Sequence, residues 1–331
     1  MSFKRKSTSS SGPPSKYSIA LADSDDSESE DDVKVEIKAK PIAGEGKGTK
    51  LTAIQQAHKE KLSGSRFRVL NEELYTTTSE ESWERFQSDP SLFSDYHTGF
   101  REQAKTWQEG SGNPVHWILE AIRSSSGSAG GGGKIEVADF GCGDATIART
   151  LCPGLFGAGG EDGKKKKKKK KKKKNDNPTQ PQTFLVHSLD LVSPPPPSPL
   201  SSIIRACNIS SVPFLPTESV DINVYSLALM GTDVFNILKE GSRVLKIGGR
   251  LLIAEVRSRF GTGNESLLPR FKGMLEVLGF RVVNGDKRKN NKFFIFMELA
   301  KEIGWDEVEE IKESDVVGEG PFLKPCIYKR R

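Results

Sequence analysis

The segment that most constrains the fold is Val137-Ala138-Asp139-Phe140-Gly141-Cys142-Gly143-Asp144. An apolar run of strand length ends in Gly-x-Gly and passes into residues suited to a helix. The glycines let the backbone turn sharply and let a ligand approach where a Cβ would stand in the way. A dinucleotide fingerprint would carry another glycine three positions after Gly143, and that position is Thr146. Gly-x-Gly with an acidic residue two positions earlier suits a ligand that brings no phosphates. S-adenosylmethionine is such a ligand, and Asp139 and Gly143 then stand close to it.

Strands and helices alternate on either side of this turn. Buried strands are expected at Ile135–Phe140, Phe184–Val192, within Val220–Met230, at Arg250–Val256 and at Phe293–Leu299, with helices at Val234–Leu245 and Leu267–Leu278. The alternation argues for a parallel sheet covered by helices on both faces. Residues 51–123 read as a helical N-terminal part. Thr78 and Glu81 have capping-box spacing. Asp89-Pro90 is a helix start, with Asp as N-cap and Pro at the first helical position. Leu92, Phe93, Tyr96, Phe100, Ala104 and Trp107 follow at helical spacing, and Pro114 opens another short helix.

Residues 1–50 read as a disordered tail, because the acidic run Ser24–Asp32 and its Ser, Gly and Pro neighbours bury too little apolar surface. The catalytic domain then covers 124–331. Two low-complexity inserts interrupt it, at about 154–181 and 193–199, and both belong in surface loops.

Along the sheet, Asp190 ends the second strand, where a carboxylate can accept hydrogen bonds from ribose hydroxyls. Asn208 follows a short strand, and its amide oxygen suits an adenine amino group, with Ile209 beside it to pack on the ring. Ser226 sits in the next strand at the height of the ligand's methionine half. Glu255 and Arg259 lie beyond the following strand. They are candidates for substrate contact or for a local salt bridge. The Val244–Arg250 cassette reads as a helix end, a glycine turn and a return into a strand.

The net charge of +6 is smaller than the contribution of the eleven lysines from Lys164 to Lys174, so the rest of the chain is acidic. That tract offers counterion release to nucleic acid, a nuclear address, or a tolerated insertion. Cys142, Cys152, Cys207 and Cys326 show no C-x-x-C spacing, so neither a zinc knuckle nor a dithiol site is signalled, no metal is expected, and a reduced compartment is. No apolar run is long enough to cross a bilayer, and no membrane partner is expected.

Several further blocks complete the pattern: Lys61–Arg68 (KLSGSRFR), Leu74-Tyr75-Thr76-Thr77, Tyr96-His97-Thr98-Gly99-Phe100, Ser226–Thr232 (SLALMGT), Ala254-Glu255-Val256 and Leu278-Gly279-Phe280. With the glycine turn, these resemble the eukaryotic nucleolar ribosomal-RNA-processing methyltransferases, the nucleomethylin family, in a fungal form. The resemblance runs from about Leu51 to the C-terminus apart from the inserts. It implies a class I Rossmann-like methyltransferase fold with a mostly parallel seven-stranded sheet. It implies an S-adenosylmethionine-dependent enzyme that N1-methylates an adenosine of large-subunit ribosomal RNA, working on pre-ribosomal particles in the nucleus and nucleolus. It further implies cofactor contacts at His97, Gly141, Asp190, Asn208, Ile209 and Ser226. Three positions depart from the common family pattern: Asn208 stands where aspartate is usual, Ile209 where methionine occurs, and Ser226 where cysteine occurs.

Adenine N1 has a lone pair, so no base is required before attack. The product base is cationic, and Glu255 is the candidate carboxylate to stabilise the developing charge. N1 lies on the Watson–Crick edge, so the target base must be unpaired or flipped out. From the residues alone, a protein methyltransferase on the same fold and a chromatin- or RNA-associated S-adenosylmethionine-binding protein stay open as alternatives.

Overall fold

The protein is described by a computed structural model covering residues 52–105, 107, 112–124, 133–156, 183–284 and 292–326. The expected tail at 1–50 and the lysine-rich insert lie outside these residues.

Four helices come first: α1 (Ala53–Thr76), α2 (Ser79–Ser88), α3 (Ser91–Lys105) and α4 (Pro114–Ser124). Local chemistry sets their ends. The Thr78 hydroxyl accepts from the Glu81 amide while the Glu81 carboxylate accepts from the Thr78 amide at 2.7 Å, which closes the capping box of α2. At α3 the Asp89 carboxylate accepts from the Ser91 amide at 3.1 Å, and Pro90 stands in the turn just before the helix instead of inside it. Helices α1 and α3 cross where Gly99 meets Phe67. A Cβ on Gly99 would lie 2.3 Å from the Phe67 Cβ, so this glycine sets the closeness of the crossing. Gly99→Ala is therefore expected to cost about 2 kcal/mol through overpacking. Urea unfolding would show it as a lower midpoint at unchanged slope; an unaltered midpoint would mean the two helices can separate freely.

The sheet is built from β1 (Lys134–Phe140), β2 (Thr183–Asp190), β3 (Ile204–Ala206), β4 (Val220–Ser226), β5 (Leu245–Val256), β6 (Phe280–Asn284) and β7 (Phe294–Lys301). Their order is β3-β2-β1-β4-β5-β7-β6. β7 runs antiparallel to both of its neighbours, and the other pairs are parallel. This is the seven-stranded, mostly parallel sheet of the class I methyltransferase fold. Helices α5 (Thr146–Leu151), α6 (Val234–Val244), α7 (Leu268–Val277) and α8 (Trp305–Val308) complete the described α-helices.

Side-chain alternation explains the two cores. On β5, Leu251 and Ile253 face the cluster under α6 and α7, while Leu252 and Ala254 face the cluster under α4 and α5. β4 divides in the same way, with Tyr225 on the first side and Ile222 and Val224 on the second. Helix α6 docks close to the sheet through Asn223, whose amide donates to the Gly241 carbonyl at 2.6 Å, and through Tyr225, whose hydroxyl donates to the Ile237 carbonyl at 3.0 Å.

Two elements differ from the sequence reading. β5 begins at Leu245 instead of Arg250: the strand pairs at Val220–Leu245, then resumes at Ile222–Arg250, so residues 246–249 bulge out with Gly248 at φ 76°. β6 was not anticipated. It is a short edge strand with Arg281 and Val283 exposed, so it lacks the apolar run that marks a central strand. Of the proline-rich insert, Pro195, Pro196 and Pro197 are exposed, and the chain re-enters the fold through a single-turn 3₁₀ helix at Pro199–Ser202. No helix among the described residues is long and apolar enough to cross a membrane.

Strand order reverses between β1 and β4, and in such sheets a crevice opens there at the carboxyl ends of the strands. Helices α2 and α3 roof that crevice. The roof is bonded to the loop after β4: the Asp233 carboxylate accepts from the Ser79 amide at 2.8 Å, and the Thr232 amide donates to the Thr77 carbonyl at 3.0 Å. The Leu74–Thr77 and Ser226–Thr232 blocks, far apart in sequence, thus meet at one joint.

Candidate active site

A cavity of about 280 Å³ fills the crevice. Its floor is the turn after β1. Gly141 and Gly143 have φ of 68° and 57°, and Ala145 follows at 50°. These left-handed residues fold the chain back on itself, and the Cys142 amide donates to the Leu189 carbonyl at 2.9 Å. A side chain at Gly141 is excluded on space as well, because its Cβ would stand 2.6 Å from the Ala228 Cβ.

Of the residues anticipated from sequence, His97, Asp139, Gly141, Gly143, Asp190, Ile209 and Ser226 all line this cavity. Asp190 holds the turn in place. One of its carboxylate oxygens accepts from the Gly143 amide at 2.7 Å, and the other from the Leu191 amide at 2.8 Å. Each oxygen keeps a further lone pair for a hydroxyl. Burial raises the Asp190 carboxyl above the ordinary carboxylate range, opposed by His97 and by the two amides.

His97 reaches the site from α3, outside the sheet. It is buried, its ring lies 4.1 Å from that of Phe93, and Tyr96 meets it edge-on at 5.4 Å. Burial pulls its pKa below the usual histidine value, against the pull of Asp190 and Asp144, so the ring is neutral at pH 7. It sits over the turn, where a Cβ on Gly143 would come within 3.6 Å of it.

Asp139 is the group most out of keeping with its surroundings. It is 2% exposed, and its Oδ2 has no hydrogen-bond partner. Burial, reinforced by the nearby Asp190, pushes its pKa up to about 7. An unpartnered buried carboxylate costs free energy unless a cation or donor completes it. S-adenosylmethionine fits this site. Its ammonium, ribose diol and adenine would match the chemistry of Asp139, Asp190 and Ile209, which line the cavity, and the glycine turn leaves room for its backbone-side approach. Among the described residues, no group of three or more His, Cys, Asp or Glu side chains could hold a metal ion.

Asn208 and Glu255 are placed differently from expectation. Asn208 does not line the cavity: its amide oxygen accepts from the Ser210 amide at 2.9 Å and from the Ser210 hydroxyl at 3.0 Å, while its amide nitrogen donates to Glu80 at 2.6 Å. The oxygen assigned to adenine is thus occupied by a local turn, and Glu80 on α2 is the carboxylate next to this position. Glu255 is fully buried, outside the cavity lining, with its carboxylate 2.8 Å from the Arg259 guanidinium. Arg259 also donates to the Lys324 carbonyl and lies over the Tyr75 ring at 4.6 Å. Of the two roles open to this pair, the structure places it as a salt bridge joining β5, α1 and the C-terminal segment. Glu255→Ala is expected to destabilise the fold by about 3 kcal/mol by leaving the guanidinium buried and uncompensated. In calorimetry the paired change Glu255→Met with Arg259→Met should recover most of that loss. A double variant as unstable as the single one would mean that the ion pair is not what Glu255 supplies.

Sequence reasoning missed the ion pair from Arg101 to Asp144 (2.9 Å), which reaches from α3 to the turn, and Leu227, which takes a left-handed φ of 59° at the cavity wall. A bulky residue in that conformation is strained, and strain of this kind collects at functional sites. Nothing in the amino-acid types at these positions announces either feature.

Comparison with known proteins agrees with the geometry. The chain matches the model of a family described as hypothetical methyltransferases over residues 53–153 and 178–331, and the lysine tract falls in the gap between the two stretches. It is 36% identical over 290 residues to the 25S rRNA (adenine(645)-N(1))-methyltransferase of Schizosaccharomyces pombe, covering 87% of this chain and 76% of that one. It is 37% identical over 276 residues to Ribosomal RNA-processing protein 8 of Arabidopsis thaliana, covering 83% and 77%. It is 35% identical over 314 residues to the 25S rRNA (adenine(645)-N(1))-methyltransferase of Saccharomyces cerevisiae, covering 85% and 72%.

Proposed function

The chain belongs to the methyltransferase family that includes these ribosomal RNA-processing proteins, and on that premise we propose that it transfers a methyl group from S-adenosylmethionine to N1 of an adenosine in large-subunit ribosomal RNA. One observation carries the reading. The cavity, with its unpartnered Asp139 carboxylate above a glycine turn, lies in a chain that resembles N1-adenine methyltransferases over most of its length. The proposed reaction belongs to ribosome biogenesis, and the same reading has the protein act on pre-ribosomal particles, in the nucleus and nucleolus.

When bound, the cofactor would supply an electrophilic methyl group for the N1 lone pair to take, with the electron pair of the broken C–S bond left on sulfur and the positive charge left on the base. The protein's part is binding and orientation. Asp139 supplies negative charge beside the glycine turn, Asp190 accepts hydroxyl donors, Ile209 offers an apolar face, and His97 covers the turn as a neutral ring. No proton has to leave N1 before attack, so no general base is required. Helices α2 and α3 limit the access of water to the crevice.

The test is mass-spectrometric nucleoside analysis of large-subunit ribosomal RNA from cells lacking the gene, rescued by wild type or by Gly141→Arg. N1-methyladenosine should fall on deletion and return with wild type alone. Unchanged N1-methyladenosine on deletion would overturn the RNA assignment.

A further inference from the structure

The cavity has two unlike halves. The polar half, over the carboxyl ends of β1 and β2, holds the glycine turn, Asp139 and Asp190. The other half is aromatic. Resting on the reading above, we propose that this aromatic half seats the flipped-out target adenine, with Tyr96, Phe100 and Trp107 as its wall and Arg101 and Lys105 as the cations at its rim.

The placement follows from the topology. Tyr96 and Phe100 lie one turn apart on α3, with rings 6.3 Å apart and inclined by only 20°. Phe100 meets Trp107 edge-on at 5.6 Å, and Trp107 meets Phe294 edge-on at 5.3 Å. Phe294 opens β7 and pairs with Val256 at the end of β5. The row of rings therefore runs from the cofactor half, where Tyr96 touches His97, across the carboxyl end of β5 and the amino end of β7. Tyr96 fixes the row to the segment after β4, because its hydroxyl donates to the Met230 sulfur at 3.4 Å. Tyr96, Phe100 and Trp107 are half-buried and line the cavity, so faces or edges of these rings are presented to whatever enters it.

The chemistry suits an unpaired purine. A base taken out of its stack regains stacking on aromatic faces, whatever its sequence context. The transfer makes that base cationic, and aromatic faces attract a cation. The wall thus offers the charge stabilisation that Glu255, locked to Arg259, is not placed to give. Arg101 and Lys105 are exposed, one turn apart on α3, and paired with Asp144 at 2.9 Å and Glu102 at 2.6 Å. Exposed pairs of this kind exchange partners at little cost. They are placed to meet the phosphates that flank a flipped nucleotide.

The experiment uses the full chain and the ribosomal RNA fragment on which wild type deposits N1-methyladenosine, with a twin fragment carrying an abasic site at that position. Phe100→Leu and Trp107→Leu stay apolar and remove the π face; Phe100→Tyr keeps it. Each leucine variant should weaken binding of the adenosine fragment about tenfold. Binding of the abasic fragment should be unaltered, S-adenosylmethionine affinity by calorimetry should stay within about twofold, and Phe100→Tyr should behave as wild type. The inference is overturned if the leucine variants bind both fragments as wild type does, or if they lose cofactor affinity instead. Failure of wild type to methylate any adenosine of the RNA is a separate result: it removes the proposed reaction, and this inference with it.

Discussion

Gly141→Arg is expected to lower methyl transfer at least a thousandfold and to abolish the thermal stabilisation by S-adenosylmethionine, while far-UV circular dichroism stays near that of wild type. Two independent constraints meet at this residue. Its φ of 68° costs a side-chain-bearing residue about 1–2 kcal/mol. The added Cβ would stand 2.6 Å from that of Ala228, and the guanidinium would project into the space a ligand needs, beside Asp190. The sheet beneath is held by pairing along the whole of β1 with β2, so the damage stays local. A milder series separates strain from contact. Gly141→Ala carries both penalties, whereas Gly141→Ala with Ala228→Gly carries only the backbone one. Cofactor affinity should therefore be weakest in the single variant and partly restored in the double. Equal affinities in the two would refute the account based on the Ala228 contact.

The fold was legible because periodicity is printed in the residues. The apolar runs of β1, β2, β4 and β5 and the two-faced helices α6 and α7 leave few other arrangements. Edge strand β6 escaped because its exposed Arg281 and Val283 interrupt the apolar run that marks a buried strand. The glycine turn was legible for the same reason that it works: only glycine serves there. Side chains whose role depends on a partner were harder to place. Asn208 and Glu255 carry the right chemistry, but whether such a group faces ligand or neighbour is decided by residues far along the chain, Glu80 in one case and Arg259 in the other. The ring row was read as the apolar face of a helix, which holds for Tyr96 and Phe100, whereas Trp107 stands in a turn beyond the end of α3. That the same face borders a cavity follows only from the crossing of α3 over the sheet.

Asp139→Asn is expected to make the apoprotein more stable and the enzyme far worse at holding its cofactor. The carboxyl has a folded pKa of about 7, raised by burial and by Asp190, against an ordinary value of 3.8. A raised carboxyl pKa means that the folded state binds the extra proton, so apoprotein stability rises as pH falls from 7 towards 4. Above pH 7 the ionised group burdens the fold by about 4 kcal/mol. Asparagine removes that burden and introduces a buried amide that costs about 2 kcal/mol if unsatisfied. The apoprotein should thus gain about 2 kcal/mol at pH 8 and gain nothing at pH 5. Cofactor binding has the opposite sign. If the ionised carboxylate receives the ammonium of S-adenosylmethionine, wild-type affinity should fall about tenfold for each pH unit below 7, with proton release on binding near pH 6.5. Asp139→Asn should bind about a hundredfold more weakly at pH 8, at a level that does not vary between pH 6 and 8. Titration calorimetry in buffers of different ionisation enthalpy measures both the affinity and the released proton. If wild type binds with no proton release and no pH dependence, Asp139 does not meet the ammonium. The carboxylate would then be a structural burden that some other donor must relieve.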